Sequence, residues 1–184
     1  MLDHERWSIV LSTFPKFKSL GFSLVELMVG ITIMGILAVI AVPSFQTWTQ
    51  NAQIRNAAES VTNGLQKARA EAVARNANVS FTLGAGTSWT VGVVAPASVI
   101  EQRFGNDGSK DVTRTVLPAG ATTITFNTLG GVVLPTNADG SVPFSQVDLT
   151  AAGGSLNLRV TIGVNGNARM CDPNLAPGSS PRAC

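Results

Sequence analysis

Histidine is almost missing from this sequence: His4 is the only one in 184 residues, and it stands in a short N-terminal stretch that also holds Arg6, Lys16 and Lys18. Any processing that removes this stretch leaves a chain with no histidine. Ser-His and Cys-His nucleophile pairs and His-ligated metal sites are then excluded. Cysteine is limited to Cys171 and Cys184, and a zinc site lacks the other ligands it needs. No G-x-x-x-x-G-K-[ST], G-x-S-x-G or H-E-x-x-H stretch occurs. The acids Glu101, Asp107, Asp111, Asp139 and Asp148 are scattered through turn-rich sequence, and no spacing brings two of them together. The expectation is a protein without catalytic residues, metal or cofactor. Charge is scarce as well, at 13% of residues against 45% hydrophobic. The formal net charge of +2 is too small to imply nucleic-acid binding by itself.

What the chain does have is one long apolar run, Gly21 to Phe45, with no charged residue between Leu27 and Val42. Counted from Phe22, it gives about 20 residues, or about 30 Å of helix, the thickness of a bilayer's hydrocarbon core. Lys16 and Lys18 lie just before it, so the positive-inside rule places the N-terminus in the cytoplasm and the rest of the chain across the membrane. An ordinary secretory signal carries its small-residue cleavage site after the apolar run. Ala41-Val42-Pro43-Ser44 is a poor candidate for one, and the better small residue, Gly21, precedes the run.

The stretch G-F-S-L-V-E-L, Gly21 to Leu27, followed by an uninterrupted apolar run, resembles the class III signal of type IV pilins and type II secretion pseudopilins. The resemblance implies that a prepilin peptidase cuts between Gly21 and Phe22 and that Phe22 becomes N-methylated. It also implies that the helix kinks at Pro43. Glu26 then falls fifth in the mature chain. Near the interface an acid stays hydrated, but deeper in a bilayer a carboxylate is costly and points to function. The partner implied by the resemblance is the α-amino group of Phe22 in the same or a neighbouring subunit, so that Glu26 sets the register of assembly.

Beyond Pro43 the pattern predicts an amphipathic continuation of the helix. Ile54, Ala58, Val61, Leu65, Ala68 and Ala72 form one narrow stripe. Arg55 with Glu59, Lys67 with Glu71, and Glu71 with Arg75 are i,i+4 pairs on the wetter side. Asn76 to Asn78 should end the helix. From Val79 the period becomes two. Val79–Leu83 and Trp89–Val93 predict a hairpin. Further strands are expected at Val99–Phe104, Val112–Leu117, Thr122–Phe126, Val132–Leu134 and Ser155–Val164. Asn165-Gly166 should turn the chain into a last strand, Ala168 to Cys171, while Pro135 to Gly154 looks loop-rich. The predicted fold is α+β: a long N-terminal helix, membrane-spanning in its first half, packed on an antiparallel β-sheet. The expected division is 1–21 leader, 22–43 membrane-spanning and assembly half, 44–78 periplasmic amphipathic half, 79–171 β-rich domain and 172–184 tail.

Q-K-A-R-A-E-A-V-A-R-N, Gln66 to Asn76, together with a strand-rich domain ending in a hairpin and a cysteine, resembles the FimT/GspH branch of pilin-like proteins. That branch holds minor pilins and minor pseudopilins, so the implied partners are other pilin or pseudopilin subunits, the prepilin peptidase and the inner membrane. A periplasmic domain permits disulfides, and a Cys171–Cys184 bridge would close the tail at a gain of about 3 kcal/mol. FimT-like proteins are associated with DNA uptake through a C-terminal Gly-Arg-x-Arg motif. Here Gly166-Asn167-Ala168-Arg169 keeps only the Gly and the last Arg. Arg159, Arg169 and Arg182 are the candidate phosphate contacts, with no aromatic residue after Phe144 to stack on bases. The expected function is a minor type IV pilin that assembles or primes a filament. The alternatives are a minor pseudopilin of type II secretion and a DNA-binding tip module for natural transformation.

Overall fold

The computed structural model describes residues 21–184. Residues 1–20, with His4, Lys16 and Lys18 and all but the last residue of the expected leader 1–21, lie outside the described residues. The chain divides after Ala41 into two compact units. One helix, α1 (Leu24–Arg75), supplies the described part of the first unit and continues into the second. Eight strands follow: β1 (Val79–Leu83), β2 (Trp89–Val93), β3 (Ser98–Arg103), β4 (Val112–Leu117), β5 (Thr123–Phe126), β6 (Gln146–Ala151), β7 (Leu158–Ile162) and β8 (Ala168–Cys171).

In the first unit every residue from Gly21 to Ala41 is exposed. In the second unit the helix buries the stripe that its 3.6-residue period predicts, Ile54, Ala58, Val61, Leu65, Ala68 and Ala72, and adds Ala57, Ser60 and Gly64. Small residues let the helix approach the sheets closely. Gly64 shows how closely, since a Cβ there would meet the Phe81 ring at 2.5 Å and Trp89 at 3.0 Å. Phe81 stacks on Trp89 with ring centroids 5.5 Å apart, and Phe144 meets Phe81 edge-on at 6.1 Å. The buried Trp89 indole N–H donates to Ser60 Oγ at 2.8 Å. Asn76 ends α1 in the left-handed region, φ 50°. Ala77 N–H reaches back to Ala72 C=O and Asn76 N–H to Val73 C=O, the two bonds of a Schellman cap.

The strands form two antiparallel sheets, ordered β3-β2-β1-β5 and β4-β6-β7-β8. The expected hairpin forms with Val79 opposite Val93 and Leu83 opposite Trp89. The last hairpin also forms, with Arg159 opposite Cys171 and Ile162 opposite Ala168. Three expectations need correction. The loop-rich stretch contains β6, which pairs with both β4 and β7 and buries Val147 and Leu149. The strand expected over Ser155–Val164 shortens to β7 because Asn51 Oδ1 accepts the N–H groups of Ser155 and Leu156, taking them out of any ladder. Val132–Leu134 makes only an isolated bridge, Val132 to Phe126. The outer side of β5 is closed by Val133 N–H, which donates to Thr125 C=O at 2.9 Å, and by the buried Asn137 carboxamide. The carboxamide accepts from Thr125 N–H at 2.8 Å and donates to Thr123 C=O at 2.9 Å.

Candidate assembly helix and C-terminal tail

Ser23 precedes the first helical residue and its C=O accepts from Leu27 N–H at 3.1 Å, the position of an N-cap. Glu26 lies in the first turn, where the helix dipole favours a carboxylate. Ser23 and Glu26 also stand in the S-x-x-E spacing of a capping box, a sequence signal additional to the assembly role expected for Glu26. Phe22 is 83% exposed. From there to Val42 the helix shows Leu, Val, Ile and Met side chains on every side, none of them buried. The helix is long and apolar enough to cross a bilayer. At Pro43 the helix loses one backbone donor but continues through it, and Thr47 Oγ1 donates to Pro43 C=O. No residue comes within 4 Å of a Cβ built on Gly30 or Gly35.

The C-terminal tail is fastened at several points. Cys171 and Cys184 are joined by a disulfide, with Cα atoms 5.1 Å apart. Asp172 N–H donates to Arg182 C=O at 2.6 Å, and Cys184 N–H donates to Asp172 C=O. Arg169, in β8, donates from Nη2 to Pro181 C=O and Ala183 C=O, each at 3.0 Å. Its guanidinium therefore clips the tail to the strand. Arg159 makes a two-pronged ion pair with Asp148, 2.7 Å from Nε to Oδ1 and 3.0 Å from Nη2 to Oδ2. This bonding raises the arginine's pKa above its usual range. Arg182 is exposed, and its guanidinium has no hydrogen-bond partner among the described residues. It borders a cavity of about 360 Å³ beside Arg55 and Met170, with Glu59 and Asp172 bringing negative charge to the same place. The three arginines lie in one C-terminal region, yet two are committed to protein acceptors.

Gly166 also has a structural reason to be glycine. Its φ is +77°, and a Cβ there would clash with Gly130 C=O. That same carbonyl accepts from Arg69 Nε of α1 at 3.1 Å. The last hairpin, the Asn127–Gly131 turn and the helix are thus locked at one point.

Sequence reasoning missed the side chains that hold the second unit's helix to its loops. Asn51 bonds the Ser155–Leu156 backbone. Gln53 donates to Asp111 Oδ2 and accepts from Asp111 N–H. No local motif marks these long-range amide contacts. Of the expected helix pairs, Lys67–Glu71 and Arg75–Glu71 form at 3.1 and 2.6 Å and hold the Glu71 carboxyl below its usual range. Arg55 and Glu59 form no ion pair. Among the described residues no group of His, Cys, Asp and Glu side chains is placed to hold a metal ion.

Comparison with known proteins places these features in a family. The prokaryotic N-terminal methylation motif matches residues 16–42, which include the exposed apolar stretch Phe22–Val42. Two curated fimbrial proteins of Pseudomonas aeruginosa are 46% identical over 41 residues, 22% of this chain and 27% of theirs. The match thus spans about a quarter of those relatives' length. In fold, the chain is similar to the crystal structure of the type IV minor pilin FimU of P. aeruginosa strain PAO1. One crystal form gives a TM-score of 0.52 at 23% identity, covering 72% of this chain and 98% of FimU. A second form gives 0.48 at 22% identity, covering 68% and 98%. The methylation motif and apolar helix fit a membrane-anchored pilin. A family model described as type II transport protein GspH matches residues 57–166, most of the buried helix stripe and strands β1 to β7, and with more than half of its length so matched the chain belongs to that family, the GspH/FimT branch of type IV pilin-like proteins.

Proposed function

We propose that this chain is a minor type IV pilin of the FimT kind, which takes part in assembling or priming a pilus filament. The observation that carries the proposal is the exposure of the whole Phe22–Val42 surface, an apolar stretch that no other described residue covers. Such a surface is stable only in lipid or against other apolar helices. In this reading the prepilin peptidase cuts between Gly21 and Phe22, Phe22 is methylated, and the protein waits in the inner membrane with its C-terminal unit in the periplasm. Residues 22–43 then enter a helical filament with other pilin subunits, and Glu26 pairs with a Phe22 α-amino group. Residues 44–78 support the β-rich domain, 79–171, and the disulfide closes 172–184.

A second reading is a minor pseudopilin of type II secretion, favoured by the description of the matching family. DNA contact during uptake has narrower support, since Arg159 and Arg169 already have protein acceptors and Arg182 stands near two acids. Deleting the gene and measuring surface pili and secreted proteins in one strain separates the first two readings. Lost pili with normal secretion is the expected result. Lost secretion with normal pili would assign the chain to the secretion machine.

A further inference from the structure

Two aromatic rings follow the apolar run on the same side of α1. Phe45 and Trp48 are three residues apart, 65% and 66% exposed, with ring centroids separated by 5.9 Å and planes inclined by 34°. Nothing in the chain's own core uses them. The contrast with Trp89 is informative: that indole is buried and its N–H is satisfied by Ser60, whereas Trp48 has no acceptor among the described residues. An exposed indole with an open N–H suits an environment that is apolar on one side and rich in acceptors on the other.

The position along α1 supplies that environment. The helical run from Leu24 to Val42 rises about 27 Å, close to the thickness of the hydrocarbon core, so Phe45 and Trp48 stand about 5 and 9 Å farther along. That range is the headgroup and glycerol layer, where aromatic side chains collect at the ends of spanning helices. The surrounding residues fit the same layer. From Pro43 to Ile54 no side chain is charged, and Ser44, Gln46, Thr47, Thr49, Gln50 and Asn51 alternate with the rings. Thr47 and Thr49 return their hydroxyls to helix carbonyls, Pro43 and Phe45, and so cost little when desolvated. The first charge beyond the apolar run is Arg55.

We infer that Phe45 and Trp48 form a binding surface for the phospholipid headgroup–glycerol layer, which fixes how deep the helix sits before it is taken into a filament. The inference rests on the membrane-spanning reading of residues 22–43. The chemistry is that of a lipid ester carbonyl or phosphate oxygen accepting the Trp48 N–H while the two rings displace water at the acyl-chain boundary. Before assembly this anchor resists displacement of the helix along the membrane normal.

The test is tryptophan quenching by brominated phospholipids in the full chain, reconstituted in phosphatidylethanolamine–phosphatidylglycerol vesicles. A Trp7→Phe background leaves Trp48 and the buried Trp89 as emitters. Lipids brominated near the carboxyl end of the acyl chain should quench more strongly than lipids brominated near the methyl end, and Trp48→Gln should abolish the difference. Ile33→Trp in a Trp7→Phe/Trp48→Phe chain reports the spanning reading separately, with the opposite preference expected. Deep quenching of the residue 33 reporter without shallow quenching of Trp48 would overturn the anchor, leave the spanning helix in place, and assign the ring pair to a protein partner. Absence of quenching at both positions would overturn the spanning reading and the anchor with it.

Discussion

The two halves of α1 share one backbone ladder and differ in what surrounds it. From Leu24 to Ala41 every side chain is exposed and nearly all are apolar. From Ile54 to Arg75 one stripe is buried and the remaining faces carry Arg55, Glu59, Lys67, Glu71 and Arg75. Glycine makes the contrast concrete. Gly30 and Gly35 have open space where a Cβ would go, whereas Gly64 lies against two aromatic rings. The second half is therefore fitted to a surface already present in the chain. The first half has no such surface among the described residues, and in the proposed function its covering comes from lipid or from other subunits.

Substitutions that exploit this contrast have effects of graded size. Gly64→Val should be the most damaging to folding. Overpacking against Phe81 and Trp89 costs about 3 kcal/mol or more, at the upper end for inserted core volume, since the rings are themselves held by Phe144 and Ser60. Gly30→Ala and Gly35→Ala should leave the unfolding midpoint of the C-terminal unit unchanged. A thermal melt of all three variants in detergent measures the comparison, and equal melting of Gly64→Val and Gly35→Ala would break it.

Next in size is Cys184→Ser, which opens the tail and should cost about 3 kcal/mol by loss of the loop constraint. Arg169→Gln should cost about 1–2 kcal/mol, because it removes a charged donor from the Pro181 and Ala183 carbonyls. Arg182→Gln should fall within about 0.5 kcal/mol of the parent. Denaturant titration of the three variants checks the order. DNA gel shifts on the same proteins sharpen it: a loss confined to Arg182→Gln would identify the exposed cation as a phosphate contact, and no shift with the parent would remove DNA from consideration.

The smallest effect is on pH. Glu71 and Asp139 are held below the usual carboxylate range, Glu71 by hydrogen bonds from Arg75 and Lys67 and Asp139 by the hydroxyl and N–H of Ser141. A depressed folded pKa contributes stability above the unfolded value and loses it as pH falls through the folded one. Stability should therefore decline slightly on acidification below the ordinary carboxylate range. Asp139 is exposed, and Glu71 is half-buried but paired with two exposed cations, so screening keeps the change small. Glu71→Gln should flatten part of that decline in denaturant midpoints taken across pH.

The helix was legible because its signals are local. A 3.6-residue period places Ile54, Ala58, Val61, Leu65, Ala68 and Ala72 on one face, and those residues are buried. The hairpins were legible for the same reason, with turn residues between alternating runs. The split into two sheets was not, because β1 pairs with β5 and β4 with β6 across long intervening segments. β6 offers only Val147 and Leu149 as inward apolar residues and follows a proline-containing stretch, so its pattern is weak. The C-terminal cations illustrate the same limit. Arg159, Arg169 and Arg182 look alike in a sequence, but Asp148 and the tail carbonyls distinguish them only after folding.

The central claim, that the first half of α1 is an assembly surface registered by Glu26, is tested most directly by the fate of Glu26→Ala. The measurement is the amount of processed protein in sheared filaments relative to the inner-membrane pool, for the parent and the variant. A variant of normal processed length that stays in the membrane and is lost from the filaments is the predicted result. Incorporation of Glu26→Ala at the parent level would contradict the claim.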